Sequence, residues 1–81
     1  MTPEKLQTLR EKTLEYFAQY RPKAEDLLHA TLIVSSDAFA EEGCTLGYYD
    51  FREWVIDNFG RFPMVGSRLA NSFTKARREV L

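Results

Sequence analysis

The chain has 81 residues, 44% of them hydrophobic and 14% aromatic, with a net charge of −1. That is enough apolar material for one core and too little length for two, so residues 1–81 read as a single domain and wholesale disorder is excluded. One cysteine, Cys44, excludes an intrachain disulfide framework, and with a single His beside it a zinc site has too few soft ligands. The start of the chain is polar and lacks a signal-peptide pattern, and no apolar run approaches the roughly 18 residues of a membrane span. The chain is therefore expected to be a soluble, cytoplasmic protein.

The first helix is expected from about Pro3 to Tyr20. Thr2 suits the N-cap, Pro3 suits the first helical position and Glu4 suits the positive end of the dipole. Leu6, Leu9, Thr13, Phe17 and Tyr20 recur at spacings of three and four and form one apolar stripe, widened by Leu14 and Tyr16. Arg21-Pro22 ends this helix, because proline disfavours the α conformation in the residue before it.

A second helix is expected to carry Pro22 in its first turn, followed by Glu25 and Asp26. Leu27, Leu28, Thr31, Leu32 and Val34 supply its apolar surface. Residues 30–34 are β-branched and nearly continuous, which fits a buried helix or a short strand. Helix is preferred because no other segment offers a strand to pair with. His29 is given an ordinary structural role. Beyond Ser35-Ser36-Asp37, the helix either runs on to Glu42 or gives way to a short helix near residues 37–42 capped by Ser36. Gly43 reads as a left-handed helix terminator, and Cys44–Tyr49 as a loop.

The third main helix is expected to start at Asp50. Asp50 and Glu53 have the spacing of a capping box, and Phe51, Trp54, Val55 and Phe59 form the inward face. Gly60 suits its end. Residues 61–66 read as a turn containing Pro63, and Ser67 as the N-cap of a last helix over 67–81. Leu69, Phe73, Ala76 and Val80 form its inward stripe. The expected fold is all-α: a small four-helix domain whose last two helices resemble a helix-turn-helix. The core is expected to hold Leu9, Phe17, Leu28, Leu32, Trp54, Phe59, Leu69 and Phe73.

Charge is unevenly spread. Residues 37–57 carry Asp37, Glu41, Glu42, Asp50, Glu53 and Asp57 against Arg52 alone, a net of −5. Residues 58–81 carry Arg61, Arg68, Lys75, Arg77 and Arg78 against Glu79 alone, a net of +4. Two binding surfaces follow. Glu41, Glu42, Tyr48, Tyr49, Phe62 and Met64 combine carboxylates that steer a basic partner with aromatic and apolar residues that anchor protein interfaces. Arg61 in the turn, with Arg68, Asn71, Ser72, Lys75 and Arg78 along one side of the last helix, are side chains suited to phosphates and base edges. The Gly60–Gly66 turn is longer than a compact helix-turn-helix allows.

No nucleophile–base pair, metal-ligand spacing or glycine-rich phosphate loop is present, so neither catalysis nor a cofactor is expected. The expected function is that of a small non-catalytic regulator, inhibitor, adaptor or assembly subunit that docks to a protein partner. The alternative is a DNA-binding regulator reading through residues 67–81. A homodimer is compatible with both.

Overall fold

The first helix, α1 (Pro3–Ala18), begins where its cap residues dictate. Thr2 Oγ1 accepts from the Lys5 N–H at 3.2 Å, and Pro3 fills the first turn. The computed structural model describes residues 1–60 and 63–81. It continues with α2 (Ala24–Ser35), α3 (Asp37–Glu41), a 3-10 turn (Gly43–Thr45), α4 (Tyr48–Phe59) and α5 (Pro63–Val80). The fold is all-α, and among the described residues there is no strand. No described helix is long and apolar enough to cross a membrane.

Several boundaries differ from expectation, each for a local reason. The chain reverses after α1 at Arg21, whose φ of 53° lies in the left-handed region. Pro22 therefore stands outside α2, which Lys23 precedes without a side-chain cap bond. Of the two readings beyond Ser35, the separate short helix is the one observed. Ser36 Oγ accepts from the Phe39 N–H at 3.1 Å and donates to the Ile33 carbonyl at 2.8 Å, closing α2 and opening α3 with one hydroxyl.

Gly43 does not terminate a helix with a left-handed φ. It is buried, and a Cβ there would lie 3.3 Å from two ring atoms of Trp54, so close approach is what favours glycine. The left-handed glycine is Gly60, at φ 92°, which ends α4.

The two C-terminal helices depart furthest from the sequence reading. α4 starts at Tyr48, with Gly47 before it and no side-chain cap bond, so the expected Asp50–Glu53 capping box does not open the helix. α5 starts at Pro63, so Ser67 lies inside the helix and accepts from Arg52 Nε at 3.1 Å instead of capping. Arg52 thus packs against α5. α4 ends at Phe59 and α5 begins at Pro63, earlier than the expected start at Ser67.

α5 is the central element. It lies beside α1 along one flank and α4 along the other, while α2 also reaches it. Contacts of Lys12 with Glu79 and of Arg68 with Tyr20 show α1 and α5 to be antiparallel. Arg52 with Ser67 and Phe51 with Phe73 show the same for α4 and α5. The core is knit by aromatics from three helices. Phe51 and Phe73 stack with centroids 4.4 Å apart, and Phe39 of α3 meets both edge-on at 6.1 and 5.4 Å. Such pairs contribute about 0.5–1.5 kcal/mol each beyond the area they bury.

Leu9, Phe17, Trp54, Leu69 and Phe73 are in the core as expected, and Phe59 packs partly buried against it. Leu28 and Leu32 are not: they are 58% and 57% exposed, and Ala30, Ile33 and Val34 are the residues α2 buries. A nearly continuous apolar run cannot say which of its sides faces inward, because each rotation of the helix offers a stripe of similar quality. Two arginines fasten the periphery. Arg10 of α1 donates to the Val34 and Ser36 carbonyls at the end of α2, where the dipole favours a cation, and Arg77 of α5 donates to the Leu46 carbonyl.

Candidate functional site: an acidic groove and a tyrosine valley on either side of α4

The two flanks of α4 carry opposite chemistry. On one, α3, the 3-10 turn and α4 enclose a groove of about 520 Å³. Glu41 and Glu42 stand on one side, and Asp50, Glu53 and Asp57, at helical spacings of three and four, stand on the other. Trp54 lies between them with 9% of its surface exposed, so it belongs both to the core and to the groove wall. Asn58 spends its side-chain N–H on the Trp54 carbonyl at 2.9 Å.

Among the described residues, none of these five carboxylates is in an ion pair; Lys12–Glu79, elsewhere, is the pair seen. The nearby guanidiniums are used otherwise, Arg10 and Arg77 on backbone carbonyls and Arg52 on Ser67. No group of three or more metal-binding side chains is gathered among the described residues.

On the other flank, Tyr48 and Tyr49 in the first turn of α4 face α5 and the end of α1. They line a hollow of about 730 Å³ with Tyr20, Asn71, Thr74, Lys75 and Arg78. Lys75 Nζ sits 4.3 Å from the centre of the Tyr16 ring, and the Arg68 guanidinium 5.5 Å from that of Tyr20. Tyr16 Oη donates to the Glu79 carboxylate at 2.5 Å. That hydrogen bond is the main cause pushing the Tyr16 hydroxyl up to about 12 and holding the Glu79 carboxyl below its ordinary value.

The structure thus divides the expected protein-binding set. Glu41 and Glu42 stay together, but Tyr48 and Tyr49 belong to the opposite flank, beside cations. Trp54, expected as a core residue, joins the carboxylates in their place. Of the expected nucleic-acid set, Asn71, Lys75 and Arg78 are exposed and Arg68 is half-buried. Ser72 is 2% exposed and donates to the Arg68 carbonyl at 2.8 Å, so it faces the packed side. It stands between exposed Asn71 and buried Phe73, at the margin of the helix where burial depends on α1. The expectations for Arg61, Phe62 and the Met64 side chain fall outside the described residues.

Tyr16 and Tyr20 were legible only as part of the α1 stripe. Tyr16 on α1 and Tyr20 just past its end each meet a cation of α5. Cys44 is buried and its thiol is pushed up by that burial, the reverse of what an activated thiolate needs. Comparison with family profiles, with curated proteins and with solved structures finds no match for this chain.

Proposed function

We propose that the protein is a small non-catalytic regulator that docks to another protein by taking a basic segment of that partner into the acidic groove. One observation carries this reading: five carboxylates surround a partly exposed Trp54, and among the described residues no cation neutralises them. Carboxylates along a groove with an apolar wall concentrate field and speed the approach of a cationic chain. The exposed edge of Trp54 offers a Lys or Arg stem apolar contact while the cationic head reaches the carboxylates. Tryptophan is also the residue most enriched where interfaces hold their energy. A cytoplasmic setting belongs to this reading.

Trp54 is the protein's only tryptophan and reports directly on the groove. A lysine- and arginine-rich peptide is expected to change its fluorescence, with an affinity that falls as salt rises. Glu42→Lys combined with Glu53→Lys is expected to weaken binding tenfold or more. An unchanged Trp54 signal at low salt, or full affinity in the double reversal, would overturn the reading. Light scattering of the free protein separates a true partner from a second copy of the chain.

A further inference from the structure

The tyrosine valley is a second surface that the acidic groove does not use. Its floor is the exposed strip of α5, with Asn71, Lys75 and Arg78 open to solvent. One wall is the end of α1 and the other is the first turn of α4. All four tyrosines of the protein border it, and its two hollows, of about 300 and 730 Å³, share Tyr20, Asn71 and Lys75. No carboxylate lines either hollow. Tyr49 is 74% exposed and Tyr20 42%, with Tyr48 meeting Tyr49 edge-on at 5.0 Å.

We infer that this valley binds single-stranded nucleic acid, with bases stacked on Tyr20 and Tyr49 and phosphates held by Lys75 and Arg78. Exposed aromatic faces interleaved with cations in a concave track are the means by which proteins hold single strands, since every base has a flat face and every linkage a charge. Asn71, central in the floor, offers both a donor and an acceptor to a base edge.

A duplex fits less well. α5 is flanked on both sides, so α1, α5 and α4 would have to enter together. At about 8–10 Å between neighbouring axes, that layer exceeds a major groove about 12 Å wide. An acidic peptide would use the cations but leave the flat faces of Tyr20 and Tyr49 without a planar partner. This inference stands apart from the acidic groove, and the two can fail separately.

Fluorescence anisotropy of a labelled oligonucleotide of about twelve nucleotides tests it, with the matching duplex and polyglutamate as competitors. The single strand is expected to bind and to weaken steeply between about 50 and 200 mM salt. Tyr49→Ala should lower affinity about tenfold, the scale of one lost stacking partner, while Tyr49→Phe keeps it. Because Tyr49 is mostly exposed, these variants retain the fold, which circular dichroism verifies. Lys75→Gln with Arg78→Gln should weaken binding and flatten its salt dependence, whereas Glu42→Lys with Glu53→Lys should not weaken it. The inference is overturned by no binding at low salt, by duplex or polyglutamate competing as well as the single strand, or by Tyr49→Ala binding like the parent.

Discussion

The acidic groove and the tyrosine valley share one helix and little else. α4 lends Asp50, Glu53, Trp54 and Asp57 to one side and Tyr48 and Tyr49 to the other. Among the described residues, the groove's like charges have no ion-pair partner and lie around an aromatic edge. The valley pairs its cations with aromatic faces, Lys75 over Tyr16 and Arg68 over Tyr20. On the proposed reading, a cationic chain would relieve the self-repulsion of the groove's carboxylates. Part of the valley's charge is already engaged within the fold, which sets its side chains in place before a ligand comes. A domain with net charge −1 thus presents two strongly different surfaces, which the net figure conceals.

The sharpest way to break the contrast is at the core both surfaces share. Phe73 is fully buried and stacked on Phe51. Phe73→Ala is expected to cost about 3–5 kcal/mol. That is comparable with the whole stability of many small domains, about 5–15 kcal/mol. Thermal melting by circular dichroism should show the loss, and binding at the groove and valley should disappear together. Survival of either surface would mean that it does not depend on this core.

A smaller change should separate the two. Gly43→Val places side-chain atoms where a Cβ already meets the Trp54 ring at 3.3 Å and Phe39 at 3.4 Å. Overpacking there is expected to cost about 1–3 kcal/mol and to shift Trp54 emission. Groove binding should weaken while Tyr49-dependent binding holds, as paired titrations of the same variant would reveal.

The smallest effect is local to the valley's rim. Following tyrosinate absorbance with pH should show one of the four tyrosines ionising near 12, against an ordinary value of 10.0. In Glu79→Gln that group should return toward the ordinary value, and in Tyr16→Phe its transition should vanish. The fold favours neutral Tyr16, so this contribution to stability is complete below about pH 10 and is lost as pH rises toward about 12. Glu79 is the mirror case. Its carboxyl is held low, so its contribution is present above the ordinary value of 4.5 and is lost as pH falls through the lowered one.

The sequence by itself determined the helical class, the start of α1, the Gly60 stop and the α5 stripe of Leu69, Phe73 and Ala76, and it offered the Ser36 cap as one of two readings. Each rests on interactions within one or two turns of chain: a hydroxyl reaching an N–H three residues on, a backbone angle open to glycine, a repeat of three and four. It also located the acidic and basic segments. Only the tertiary structure decided which way α2 faces, leaving Leu28 and Leu32 outside, because an apolar run has no unique inward side. The same holds for Ser67, drawn into a helix begun four residues earlier, and for Gly43, whose reason for being glycine is an indole eleven positions away. The separation of Tyr48 and Tyr49 from Glu41 and Glu42 is of this kind too. These residues are near one another along the chain, but Glu41 and Glu42 end α3 and line the groove, whereas Tyr48 and Tyr49 open α4 and line the hollow beside α5.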